Sequence, residues 1–336
     1  SKTIDMKYTT AYTAALASVM LMAACESPVN DTYNVDNADA YTLVYTINAV
    51  SDASKNTLTF PLERDTTFKV FANLSSLRNP DKEIVVKFRT ATELTDAYNE
   101  KNQTSYAAMP ESCYSIDRLE AVIPAGQYTS SPVEITFNSK AFDGVGVFLL
   151  PLQIESVSPD IAVNPTLNTA YLKINGVYTE NPFPIIDRSL WTIEDFSTEE
   201  QEPKEGIDYN GTAISIIDQS NDTFWGTQWR TAKPGPPHWI TVDMGKTETV
   251  HGLRIRGRAD AWGSDKPKSS GNPRIFNIDM SDDNATWKRI GTFTVENRIE
   301  NEIYFDHRSS GRYLRMTITA TQADMYQASM ADLKAF

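Results

Sequence analysis

The chain has 336 residues, enough for two domains of ordinary size. Its formal charge is −13, with three histidines and no basic tract, which argues against nucleic acid as a partner. Frequent β-formers punctuated by Pro and Gly, with few long helix-favouring runs, predict an all-β protein.

From Met6 the sequence reads Met-Lys-Tyr-Thr-Thr, then an apolar run from Ala11 to Ala24, then Cys25. A positive start, a short hydrophobic core and small residues before the cut predict a secretory signal peptide over residues 1–24. The run is too short and too Ala-rich for a transmembrane helix. Leu21-Met22-Ala23-Ala24-Cys25 resembles a bacterial lipobox. The resemblance implies that Cys25 is lipidated and holds the protein to outer-membrane lipid; stable anchoring needs more than one acyl chain. Residues 25–40 are polar, acidic and aperiodic and read as a tether. That acidic stretch resembles the surface-export signal of outer-membrane lipoproteins in glycan-foraging Gram-negative bacteria, which implies a cell-surface location. Cys113, in Pro-Glu-Ser-Cys-Tyr-Ser-Ile, is expected to be a small, half-buried, unpaired thiol.

Residues 41–175 read as a run of strands. Tyr41–Val50 places Leu43, Tyr45 and Ile47 on one face, Phe68, Val70 and Phe71 lie on the next run, and Ile84–Phe88 on another. A short helix from Leu94 to Asn102 carries the pair Tyr98-Asn99. Further strands are expected at Val133–Phe137, Leu149–Ile154 and Ala170–Ile174. Short strands at even spacing, separated by turn residues, predict an immunoglobulin-like β-sandwich. The ordered cues Tyr-Asn, Met-Pro-Glu, Tyr-Ser-Ile, Ile-Pro-Ala-Gly and Leu-Pro-Leu-Gln-Ile resemble the domain of unknown function 1735 of surface lipoproteins.

Residues 176–187 bear Pro182 and Pro184 and read as a semi-rigid linker to a second domain over 188–336. That half contains Trp191-Thr-Ile-Glu, the stretch from Ile216 to Gly245 with three tryptophans, Ser281-Asp-Asp-Asn-Ala-Thr-Trp287, Gly311-Arg-Tyr-Leu-Arg-Met and Ala331-Asp-Leu-Lys-Ala-Phe336. In this order they resemble the discoidin-like, or coagulation-factor type C, domain, which shares its sandwich with carbohydrate-binding module family 32. The resemblance implies a jelly roll of about eight strands.

It also implies two sites. The first is a structural calcium ion beside the loop Asp218-Gln-Ser-Asn-Asp-Thr223, with Asp218, Asn221, Thr223 and the distant Asp332 as ligands; calcium takes six to eight oxygens, many from backbone carbonyls. Here Gln219 and Ser220 depart from the family's Gly and Asp, and Asp332 stands where Glu is usual. The second is a glycan pocket, because sugars present hydroxyls and apolar faces that suit polar forks beside an aromatic platform. Its expected residues are Arg258 or Arg256, Asn272, Tyr326, and Trp262 on a long loop flanked by Gly, Ser and Lys. Gly226 occupies the place of a family His. Trp225, Trp229 and Trp239 are expected in the core.

The sequence lacks Gly-x-Ser-x-Gly, His-Glu-x-x-His and Asp-x-x-Asp-x-Asp-x-Glu. With 44 acidic residues, carboxylate pairs alone say nothing about glycoside hydrolysis. The expected function is therefore glycan capture without catalysis, in a surface polysaccharide-utilisation system beside neighbouring outer-membrane transport proteins. The alternatives are an adhesin for host protein or lipid and a structural accessory of an outer-membrane complex.

Overall fold

The computed structural model describes residues 38–50, 56–268 and 270–336. The expected signal peptide, Cys25 and most of the tether lie outside these residues. Contacts divide the chain into two compact units. One comprises residues up to Leu58, Thr67–Phe137 and Leu149–Lys173; the other comprises Thr59–Thr66, Asn138–Phe148 and Ile174–Phe336. The boundary therefore falls before the expected linker. Residues 176–177 still belong to a strand, and Ile186 N donates to the carbonyl of Ala335 at 2.9 Å, so this segment packs as part of the second unit.

Among the described residues, the first part of the chain forms eleven strands: β1 (Leu43–Thr46), β2 (Thr57–Pro61), β3 (Thr66–Val70), β4 (Ala72–Ser75), β5 (Ile84–Thr90), β6 (Ala107–Ala108), β7 (Tyr114–Ile116), β8 (Glu120–Ile123), β9 (Val133–Phe137), β10 (Val147–Ser158) and β11 (Thr169–Val177). The main sheet runs β2-β11-β10-β5-β8 with β6 on β10, a second runs β3-β9-β7, and β1 pairs with β4. Alternation explains the burial. On β5, Ile84, Val86 and Phe88 face the core while Lys87 points out, and β8 opposes them with Ile123 and Ala121 in register. The first strand departs from expectation. Val44 and Thr46 are fully buried, so the face opposite Leu43 and Tyr45 points inward, and residues 47–49 turn into a 3₁₀ helix capped by the Thr46 hydroxyl. A buried Thr is masked in a polarity pattern because its methyl packs while its hydroxyl is satisfied locally. The helix α1 spans Thr95–Asn102 and ends at Gln103 in the left-handed region. Cys113 is buried more deeply than expected.

The second unit continues with β12 (Thr192–Phe196), β13 (Trp225–Gly226), β14 (His238–Arg256), β15 (Pro273–Ser281), β16 (Lys288–Thr294), β17 (Glu300–Thr321), β18 (Ser329–Met330) and β19 (Asp332–Ala335). The order is β12-β14-β17-β15-β16, with β19 added to β14 and β13 paired with β18. β14 and β17 are long because each bends partway. Their register shifts between Asp243 and Glu248 and again between Val250 and Gly252, so the two halves of each strand serve different faces of a jelly-roll sandwich. Gly252 sits at the bend, where a Cβ would lie 2.2 Å from the carbonyl oxygen of Ile303. The core between the faces is built from Trp225, Ile240, Val242, Phe276, Phe305 and Met316 with their neighbours. The Asp283–Trp287 hairpin is closed by the Asp283 carboxylate, which accepts from the amides of Ala285 and Thr286; these bonds hold its pKa down to about 2. Trp287 lies half-buried beneath the guanidinium of Arg315, 4.2 Å from the ring centre.

Candidate functional site

The loop Asp218–Thr223 is closed on itself. One Asp218 oxygen accepts from Ser220 N at 2.8 Å and the other from the Thr223 hydroxyl at 2.6 Å. This Asx-type turn, with Gln219 in the left-handed region, carries Asp222 outward. Asp222 Oδ1 accepts from Gly263 N at 3.1 Å and so fastens the long loop on which Trp262 stands. That loop is closed at its base by a bridge between Ala259 and Pro267 and by Lys268 N donating to Arg258 O. Trp262 is 56% exposed. The ammonium of Lys204 lies 3.9 Å from its ring centre, a cation–π contact that fixes one face of the indole.

The opposite wall is Phe224, with the guanidinium of Arg258 stacked 3.5 Å from its ring centre. Arg258 pairs with Glu202 at 3.5 Å, and the other Glu202 oxygen accepts from Trp229 Nε1. Between these walls lies a concavity of about 140 Å³. This is well below the roughly 300 Å³ of a drug-sized site, so it has room for a small ligand fragment and not for a buried oligomer. Lys204, Arg258 and Lys268 converge here. Burial pushes the pKa of each down, and the proximity of Arg258 lowers those of Lys204 and Lys268 further. These desolvated cations, with the carboxylates of Glu202, Asp222 and Asp260 nearby, can donate to ligand oxygens.

Not all the expected site residues meet here. Trp262 and Arg258 do. Arg256 points elsewhere: it pairs with Asp265 at 2.9 Å, and its Nε is buried without a hydrogen-bond partner among the described residues. The strand ends at Arg256, so alternation does not extend to Arg258. Asn272 is buried, accepts from Arg258 N at 2.8 Å and donates to Arg258 O at 3.0 Å. Its amide is spent on holding the Arg258 backbone, which makes it a positioning residue and not a sugar ligand. Tyr326 is half-buried, and its carbonyl contacts His238 Nε2 at 2.6 Å. His238 is buried, which lowers its pKa, and in the neutral form with the proton on Nε2 it donates to that carbonyl. Gly226 is buried, and its backbone bonds to Gly211 and Glu200. Of the three core tryptophans, Trp225 alone is fully buried; Trp229 and Trp239 are half-buried, with indole N–H groups on Glu202 and Asp195. Lys204, Phe224 and Glu202 were not marked by the sequence.

The expected calcium ligands do not fit the ion as they are arranged. Asp218 and Thr223 are bonded to each other. The buried carboxylate of Asp332 is held by Arg188 at 2.5 Å on one oxygen and by Lys334 at 2.9 Å on the other. A divalent ion sharing Asp332 would lie against two cations. Asn221 lines the Trp262 concavity. No cluster of three or more acidic, His or Cys side chains able to hold a metal occurs among the described residues.

The bent strands and the loops at their ends define a jelly-roll β-sandwich domain with a small loop concavity. A family model for the F5/8 type C domain matches residues 196–332, and a second model, for an N-terminal domain, matches residues 35–161. The chain therefore carries an F5/8 type C, or discoidin, domain behind an N-terminal domain of a second family. It is 27% identical over 178 residues to a sialidase of Micromonospora viridifaciens, covering 51% of this chain and 25% of that one. The chain thus spans about a quarter of that relative's length. Among solved structures, it is similar to the C-terminal domain of a chitobiase from Bacteroides fragilis (24% identity, 46% of this chain and 97% of that one, TM-score 0.38). It is similar also to a family 32 carbohydrate-binding module from Clostridium perfringens in complex with galactose (23%, 45% and 96%, TM-score 0.36). A two-domain protein of unknown function from Bacteroides fragilis matches over 89% of this chain and 95% of its own, at 12% identity and TM-score 0.35.

Proposed function

We propose that this protein binds glycan at the cell surface through the Trp262 concavity and performs no chemistry on it. One observation carries the reading: a large aromatic side chain stands 56% exposed over a polar hollow lined by Lys204 and Arg258 together with Asp222 and Asp260. An exposed indole beside charged forks suits the alternating C–H faces and hydroxyls of a sugar. The hollow is small, so each contact is weak, and capture relies on many anchored copies. The test is an array of mucin, N-linked and plant glycans probed with the whole chain. Trp262→Ala is expected to weaken the tightest interaction about tenfold while leaving the melting temperature in place. An unchanged titration would put the platform elsewhere, and release of sugar from any arrayed oligosaccharide would refute the non-catalytic reading.

The lipid anchor belongs to the same proposal. Cells fed labelled palmitate should incorporate it into the protein, and Cys25→Ala should remove the label; label retained in the variant would refute anchoring at this residue.

A further inference from the structure

The first unit carries a groove that the glycan reading above leaves unused. Its floor comes from β11, where the half-buried Tyr171 and Lys173 and the buried Thr169 share one face while Ala170, Leu172 and Ile174 fill the core. One wall is α1, on which Tyr98, Lys101 and Asn102 are spaced as neighbours on one helical face. The opposite wall is Asn48 and Asn56, whose side chains bond to each other at 3.2 Å, with Lys173 N donating to Asn56 O at 2.7 Å. The rings of Tyr98 and Tyr171 lie 4.7 Å apart, tilted by 35°, both half-buried. Asn99, the other half of the Tyr-Asn pair, has a separate task. Its amide binds Thr104 and both backbone groups of Tyr106, shaping the loop after the helix.

The enclosed volume is about 420 Å³, within the usual range for ligand sites of roughly 300–1,000 Å³. The chemistry of the lining is specific. Among the described residues neither phenol hydroxyl has a hydrogen-bond partner, neither Lys101 nor Lys173 has a carboxylate partner, and the lining includes no Asp or Glu. In a chain of net charge −13, a groove that shows two cations and no acid among the described residues favours negative charge. Burial pushes the Tyr171 phenol up, so it stays a proton donor. Half-exposed ring surface, flanking amides and two ammonium groups without a carboxylate partner among the described residues, Lys173 lying 6.0 Å from the Tyr106 ring centre, together match a ring-shaped, hydroxyl-rich, anionic ligand.

We propose that the first unit holds a second binding site, for acidic oligosaccharides bearing carboxylate or sulfate groups, on the Tyr98–Tyr171 platform with Lys101 and Lys173 as the charge-reading residues. This site does not depend on the Trp262 site. The test is calorimetric titration of the whole chain with a galacturonic acid tetramer and a chondroitin sulfate tetramer, against a neutral galactose tetramer and a short polyglutamate. One of the acidic sugars is expected to bind more tightly than the neutral one, and added salt should weaken it. The double variant Lys101→Met, Lys173→Met is expected to lose about tenfold in affinity. Tyr171→Ala should lose binding as well, with its melting curve checking that the unit still folds. Trp262→Ala should change nothing, which separates this site from the other. Failure of both acidic sugars to bind, equal affinity of the lysine variant, loss confined to Trp262→Ala, or preference for polyglutamate would each overturn the proposal.

Discussion

Replacing Arg188 by methionine is expected to destabilise the second unit by about 3 kcal/mol. The Arg188 side chain is 8% exposed and Asp332 4%, and they meet at 2.5 Å. The same Nη1 donates to the carbonyl of Leu333 at 3.1 Å. Methionine fills similar volume but leaves the buried Asp332 carboxylate with Lys334 alone, and a buried charge stripped of a partner costs several kcal/mol. Lys334 is itself a quarter exposed, so it offsets only part of the loss and keeps the expected value at the low end of the range. The double variant Arg188→Met, Asp332→Leu should recover most of it, because an apolar pair of similar size removes both desolvation costs. Urea unfolding of the three proteins measures the difference. The same argument bears on calcium. If Arg188 is the cation that Asp332 faces, a chelator should leave the melting temperature of the wild-type chain where it is. A fall on chelation that added calcium reverses would place a metal at this carboxylate and sink the assignment.

Arg188 shows what kind of information the sequence holds. Nothing near it in the chain marks it, because its partner lies 144 residues away. Faces of strands were legible, since alternation is local: β5, β9 and β11 bury the residues their pattern assigns. Trp262 was legible as an exposed loop aromatic because Gly, Ser and Lys flank it. Arg258 was legible as a cation near the end of a strand, but its wall was not. Phe224, Lys204 and Glu202 come from two other loops, and only the closed sandwich brings them together. Asn272 was misread for a related reason. A buried amide and a ligand-facing amide have the same sequence signature; what separates them is whether a backbone nearby consumes both ends, as Arg258 does here. The groove of the first unit draws on residues 48, 98 and 171, a span no local period can register.

The second large effect is expected at Trp225. Trp225→Ala should cost about 5 kcal/mol, the upper end for a buried Trp and enough to unfold a marginal domain. Trp225 is fully buried; at roughly 200 Å² for a buried indole and 25 cal/mol per Å², its removal forfeits about 5 kcal/mol of transfer free energy before any collapse of the space left behind. Its Nε1 donates to Thr198 O at 2.9 Å, so the variant also orphans a carbonyl. Collapse is resisted because the surrounding backbone is pinned. Trp225 pairs with Met330 across β13 and β18, Gly211 N donates to Phe224 O, and Gly226 N donates to Gly211 O. Gly211 cannot shift to fill the gap: its φ is +92°, and a Cβ there would lie 2.2 Å from the Glu200 carbonyl oxygen, so the strand is threaded tightly past that loop. Trp225→Phe keeps most of the apolar volume and should lose about 2 kcal/mol, the remainder of the indole plus its hydrogen bond. Trp229→Ala, at a half-buried ring, should lose less than Trp225→Ala. Denaturant midpoints of the three variants rank these costs, and a loss at Trp225→Ala under about 1 kcal/mol would mean that the indole does not organise this end of the sandwich. Because Phe224 precedes it directly and carries the Arg258 guanidinium on its ring, the same variant should also weaken glycan binding at temperatures where the domain remains folded. Trp262→Ala should separate the two effects, reducing binding with no change in midpoint.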